Sequence, residues 1–395
     1  MKLLWLSNFS SDSAYAIQSQ LLIPRIQACG HDVSVLELTQ GRSKPRTVNG
    51  INILPVAKDS LGNDSVIEHF KRGGFHAVIT LVDPWGLQPA VMQHVPWFPF
   101  APIDTQPISP RNLDALKACT RPIAITQWGY DQLAGAAPLK IPAPLYLPHG
   151  YDPSIWYPRD KSSARESLGI PPHVFFAAFV GVNDSLPSRK GIAELLFAWQ
   201  IFRAQHEDVL LYMHTDPVGN IPETGPHGGV DIPTLLKSLA MDNDPSIKLV
   251  DPFRYRTQSI PASELARVAA AADVLILPGK GEGFGVPIIE FAATGTPAIV
   301  TNFGSMAELA DKMGGQLLHF EADWGWQNAM TAKASIPGIV QGLDRSYAER
   351  GTEAAAMRRM QAIQGAQAYA IDRVFMDHGI GVLEAIADAT LSRVK

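Results

Sequence analysis

The sequence predicts an α/β protein made of two successive doubly wound domains. Three observations carry that expectation. Short apolar runs alternate with stretches of helical spacing along most of the chain. The alternation is interrupted once, by a proline-dense stretch from about 138 to 160, and then resumes. In the second series a glycine-rich turn directly follows an apolar run, which is where a parallel sheet presents its ligand.

The elements follow in order. Leu3 to Leu6 form a first buried strand, Ser7 to Ser13 a polar loop, and Ala16 to Cys29 a helix stopped by Gly30. Val33, Val35 and Leu36 begin the next strand, completing a βαβ unit whose crossover should be right-handed. Ala77–Val82 and Pro122–Thr126 read as further buried strands. Pro138, Pro142, Pro144, Pro148, Pro153 and Pro158 then stiffen an extended connector, which puts the domain boundary at 158/159. The second series runs through strands at Val174–Val180, Val209–Met213, Val274–Leu277 and Ala298–Thr301. Helices lie at Ala193–Ala204, Ser263–Ala271 and Val286–Thr294. The tail from Ser346 to Ser392 is alanine-rich and free of proline, and reads as helix.

Composition removes several function classes. At roughly 150 residues per domain, 395 residues allow two to three domains. With 46% hydrophobic and 18% charged residues, the chain can bury sizeable cores. The 32 Gly and 31 Pro follow no period, so collagen-like and low-complexity classes fall away. Cys29 and Cys119 are too few for a disulfide framework or a four-thiolate metal site, and read as buried thiols. No apolar run nears the ~18 residues of a spanning helix. The opening MKLLWLSNFSSDS reads as a strand rather than a secretory leader. The expected location is cytoplasmic, with peripheral membrane attachment left open. Net charge is −5, with 12 basic and 11 acidic residues over 1–158 and 21 and 27 over 159–395. Neither part carries the electropositive footprint of a general nucleic-acid binder.

The chemistry concentrates in Gly279-Lys280-Gly281-Glu282-Gly283-Phe284-Gly285-Val286-Pro287-Ile288-Ile289-Glu290. Four glycines at alternate positions let the backbone approach a ligand closely. Pro287 suits the first turn of a helix, and a helix start after such a turn offers N–H groups to an anion. Glu282 in the loop and Glu290 one turn inside the helix could accept hydrogen bonds from the hydroxyls of a ribose or a sugar. A capping acid on an ordinary turn is the plainer alternative.

The stretch EGFGVPIIE resembles the E-x7-E motif of retaining glycosyltransferases of the GT-B fold, family 4 type. Ala292, Gly295, Pro297 and Glu308 match its usual continuation. Phe179-Val180-Gly181 with Arg189-Lys190-Gly191-Ile192 is similar to the family's strand and basic pair. Pro148-His149-Gly150-Tyr151-Asp152, with Trp156 and Pro158, resembles the segment at the domain crossing. Ser13-Ala14-Tyr15-Ala16-Ile17-Gln18 and Pro102-Ile103-Asp104 resemble loops of the first domain, where the likeness is looser. The resemblance implies two facing Rossmann-like domains, 1–158 for the acceptor and 159–375 for a nucleotide sugar, with a C-terminal helix of about 376–395 recrossing to the first.

It also implies roles. Arg189 and Lys190 would neutralise the diphosphate, since leaving-group charge grows as the glycosidic bond breaks. Glu290 would hold the ribose and Glu282 the donor sugar, with Gly181, Gly283, Phe284, Gly285, Val286 and His149 lining the donor site. His94 and Asp104 are candidates for the catalytic pocket, and Trp85, Trp97 and Phe98 for stacking. Ser13, Tyr15 and Gln18 would form an acceptor or phosphate loop. Asp242-Asn243-Asp244 lies in a polar turn rather than after a strand, so no metal and no cofactor beyond the donor is expected. The implied activity is retaining transfer from a nucleotide sugar, UDP favoured, to a saccharide or glycoconjugate hydroxyl. A hydroxymethylated DNA base is an alternative acceptor, and would need Arg42, Lys44, Arg46, Lys71 and Arg72 as its basic groove. A nucleotide-sugar epimerase of the same fold and a noncatalytic sugar-binding module are alternative classes. The oligomeric state is not readable.

Overall fold

The computed structural model describes residues 1–38, 44–219, 228–325 and 327–391. The chain forms two compact units. One comprises Met1–Gly150, Gly325–Ala329 and Tyr369–Lys395, the other Tyr151–Trp324 and Met330–Ala368. The change of unit falls after Gly150 rather than at 158/159, and the return falls at Tyr369 rather than at 376. The physical reason is packing. Trp156, within the proline-dense stretch, is buried with its ring 6.4 Å from that of Phe291, so the segment already belongs to the second core.

The first unit is built on β1 (Lys2–Ser7), β2 (Asp32–Glu37), β3 (Arg46–Val48), β4 (Ile51–Pro55), β5 (Ala77–Leu81), β6 (Trp97–Ala101), β7 (Ile123–Ala124) and β8 (Leu145–Tyr146). Their order is β3-β4-β2-β1-β5-β6-β7-β8. Only the β3–β4 pair is antiparallel. Strands β5 and β6 are buried throughout, which explains why Thr80 is their one polar residue. The expected strand at Pro122–Thr126 shrinks to Ile123–Ala124, because Thr126 instead caps the helix Gln127–Gly135, its side chain accepting from Gly129 N.

The second unit contains β9 (Phe175–Val180), β10 (Val209–His214), β11 (Ile247–Leu249), β12 (Val274–Leu277), β13 (Ala298–Thr301) and β14 (Gln316–Leu318). All are parallel, in the order β11-β10-β9-β12-β13-β14. That is the doubly wound order in which the winding reverses between β9 and β12, and ligands settle outside the carboxyl ends of the strands at such a reversal. A two-stranded hairpin, β15 (Phe320–Gly325) and β16 (Ala329–Ala334), follows β14. The residue pattern does not announce it, because β15 has no buried residue and carries no apolar run. The tail is broken helix, Ile336–Glu349, Glu353–Ala366 and Ile380–Leu391, with Gly351 at φ 75° between the first two. Among the described residues no helix is long and apolar enough to cross a membrane.

Candidate functional site

The glycine-rich segment leaves the carboxyl end of β12 and enters the helix Val286–Thr294. Gly285 caps that helix at φ 104°, a conformation that side chains of L-residues disfavour, and a Cβ there would lie 2.9 Å from Ile288 Cδ1. Ile288 N donates to Gly285 O, while the N–H groups of Gly283, Gly285 and Val286 have no acceptor among the described residues. Free N–H groups at the start of a helix form an anion site. The turn is held from below by Thr301 Oγ1 donating to Gly279 O at 2.7 Å and Ser305 Oγ donating to Glu282 O at 2.6 Å.

The basic pair arrives from the carboxyl side of β9. Gly191 sits at φ 69°, and a Cβ there would lie 2.2 Å from Pro278 O, so only glycine lets the two loops meet. Lys280 N donates to Arg189 O at 2.7 Å, which joins their backbones. Lys190 Nζ stands 2.5 Å from Glu282 Oε1, and Arg189 lies 4.0 Å from Glu282 Oε2 and 3.4 Å from Asp184. Burial, then the neighbouring Arg189, push the Lys190 pKa down, against the pull of Glu282. Gly181 lies beside them: a Cβ there would come within 3.6 Å of Lys190 Cγ. Arg189, Lys190, Glu282, Gly181 and the helix start are therefore one cluster.

Glu290 lies inside the same helix and is only 8% exposed. Its carboxyl has no hydrogen-bond or ion-pair partner among the described residues, and burial alone pushes it up to about 8. A lone buried carboxyl is costly without a purpose. Phe284 and Val286 are buried, so their contribution is shape and backbone rather than an exposed ring.

In the first unit, Ser13 and Tyr15 follow β1 and Asp104 follows β6, at the carboxyl ends of these parallel strands. Ser13 caps the helix Ala14–Ala28, accepting from Ala16 N. Tyr15 donates to Asp83 at 2.9 Å. Gln327 donates to both Asp104 oxygens at 3.2 and 3.3 Å, and accepts from Asn112 at 3.5 Å.

Several expectations need correction. Gln18 is fully buried, and its amide both donates to Gly150 O at 2.7 Å and accepts from Gly150 N at 2.9 Å, so it is a brace rather than part of a ligand loop. His94 is exposed and precedes β6, at the amino end of the strand, opposite the edge that Asp104 occupies. His149 lies at the end of the first unit, as its place before the domain crossing implies. It is 2% exposed, and burial pulls its ring down to about 3, so it stays neutral. Trp97 and Phe98 are fully buried in β6, the former donating to Thr80, and are core rather than stacking surface. Cys119 is buried, with its thiol pushed up to about 12, but Cys29 is exposed. Of the five residues of the basic groove, Arg42 lies outside the described residues, Arg46 is paired with buried Glu37, and Arg72 with Glu68.

Comparison with known proteins finds similarity in the second unit. Residues 174–331 match the family described as Glycosyl transferases group 1. That segment, 158 of the 395 residues, is similar to the group 1 glycosyltransferases. Over 228 residues the chain is 31% identical to the D-inositol 3-phosphate glycosyltransferase of Actinosynnema mirum, a match covering 56% of this chain and 51% of that protein. The chain thus spans about half the length of that relative. Among solved structures it resembles sucrose-phosphate synthase from Thermosynechococcus elongatus, with TM-score 0.73, 16% identity and coverage of 98% and 100% of the two chains. It also resembles Anabaena HepE in complex with UDP and glucose, with TM-score 0.70, 15% identity and coverage of 97% and 100%. The fold is GT-B. The matched segment 174–331 contains the whole cluster around Glu282 and Glu290. Sequence reasoning missed Asp184, Asp323 and Gln327, since each owes its place to a contact and none sits in a motif; Lys280 lies in the glycine-rich run, which by itself assigns it no role.

Proposed function

We propose that the chain is a retaining glycosyltransferase that moves a sugar from a nucleotide-sugar donor, a UDP sugar by preference, to a hydroxyl of a saccharide or glycoconjugate. The observation that carries this is the cluster of Lys190 and Arg189 on Glu282 beside the free N–H groups of Gly283, Gly285 and Val286. The cations and the helix start are suited to a diphosphate, and the buried Glu290 to ribose hydroxyls. The name of the Actinosynnema relative supports a hydroxyl acceptor, and the UDP of the Anabaena complex supports the nucleotide.

In this reading the bond between the anomeric carbon and the diphosphate oxygen breaks, and its electron pair leaves with the phosphate. The acceptor oxygen attacks the face just vacated. Its proton passes to the leaving phosphate oxygen, so no separate protein base is required. Lys190 and Arg189 stabilise the charge that grows on that oxygen. In this reading the cations of Lys190 and Arg189 serve the diphosphate in place of a divalent metal. The test is a panel of UDP, GDP and ADP sugars with candidate sugar acceptors, the product anomer read by NMR. Transfer with the donor's own anomeric configuration supports the reading. An inverted product removes the retaining mechanism, and no binding or transfer with any donor removes the function.

A further inference from the structure

We infer that Asp323, in the hairpin β15–β16, is a positioning residue for the glycine-rich donor loop, acting by holding Lys280; the inference rests on the donor-site reading above. The backbone N–H, the carbonyl and the ammonium of Lys280 are each engaged. Its Nζ donates to Asp323 Oδ2 at 2.6 Å, its carbonyl accepts from Ala332 N at 2.8 Å, and its N–H donates to Arg189 O at 2.7 Å. Two of the three partners lie in the hairpin. The lysine side chain is 15% exposed and Asp323 31%, so the pair is sheltered more than an ordinary surface ion pair. The same hairpin reaches the other half of the site: Lys333 Nζ lies 3.8 Å from Glu194, in the first turn of the helix Ile192–Arg203 that begins just after Lys190 and Gly191.

Two physical consequences follow. A loop with glycine at 279, 281 and 283 has much conformational freedom to lose when it closes on a ligand. Anchoring it at Lys280 removes part of that loss beforehand, which favours binding. Second, Lys280 is two residues from Glu282. With Asp323 as its partner, its ammonium does not compete with Lys190 for the Glu282 carboxylate, and the Lys190–Glu282 pair keeps its geometry. Asp323 thus acts through Lys280 and needs no contact with the donor.

The experiment compares wild type, Asp323→Asn, Asp323→Glu and Lys280→Met. Backbone hydrogen exchange over 278–286 is followed without ligand, UDP affinity by calorimetry, and melting temperature as the control. Faster exchange in Asp323→Asn and Lys280→Met, UDP binding weaker by roughly 3- to 10-fold at near-normal melting temperature, and recovery in Asp323→Glu are expected. Wild-type exchange and affinity in Asp323→Asn overturn the inference. A lowered melting temperature with unchanged affinity also overturns it, because the pair is then only structural. If wild type itself binds no nucleoside diphosphate, the donor-site reading fails. The ligand-free exchange then still decides the brace: unchanged exchange in both variants removes it, and faster exchange keeps it as a loop anchor.

Discussion

Glu290 is the residue whose chemistry is most out of place without a ligand. Its folded pKa of about 8 lies above its ordinary value of 4.5, so between those pH values the native chain holds a proton that the unfolded chain has lost. This carboxyl therefore costs stability progressively as pH rises through that window. Glu290→Gln should flatten the fall in urea-unfolding stability across it, and an unchanged slope would mean that another group dominates. Hydroxyls that donate to the carboxylate favour its ionised form. UDP should then bind more tightly near pH 8.5 than near pH 6, releasing a proton that calorimetry in two buffers can count; equal affinity at both would argue against a ribose contact. Lys190 gives the kinetic counterpart. Lys190→Ala should slow single turnover at saturating donor by about 2–4 kcal/mol of barrier, more than it weakens donor binding. A raised Michaelis constant with normal turnover would make it a uniform binder instead. Glu282, Glu290 and the basic pair could be singled out because each sits in a contiguous motif, and the fold brings Glu282 and the pair together. His94 was not, because its value depends on which end of β6 it occupies, and that needs the strand boundaries.

At the scale of elements, the alternating series of the second unit was readable because its central strands β9, β12 and β13 are buried nearly throughout and so are almost wholly apolar. The hairpin β15–β16 was not, since its first strand carries no buried residue and its anchor pairs Lys280 with a residue 43 positions away. Gln18 escaped for the same reason: its partner Gly150 is 132 residues distant. Contact between loops also sets the next expectation. Gly191 occupies a positive φ with a backbone carbonyl 2.2 Å from where a Cβ would lie. Gly191→Ala should destabilise the protein by about 1–3 kcal/mol from the backbone conformation alone, with the displaced loop adding to it. Urea unfolding with a wild-type midpoint would show that the two loops can separate freely, which would also loosen the link between Arg189 and Lys280.

At the scale of the whole molecule, the division into two units was legible in the interruption of the pattern, but its position was not. The prolines mark a stiff connector, whereas the boundary is set by where Trp156 finds its core. The functional account rests on protein groups alone serving a diphosphate, so turnover should persist in excess EDTA; loss restored by magnesium or manganese would put a metal in that role. The most direct measurement is calorimetric titration of UDP, in EDTA, into wild type and Lys190→Ala. One saturable site in wild type, weakened in the variant, is expected from the cluster of Lys190, Arg189 and the free N–H groups around Gly285. No binding of UDP, GDP or ADP by the folded wild-type protein, or equal binding by the variant, would contradict it.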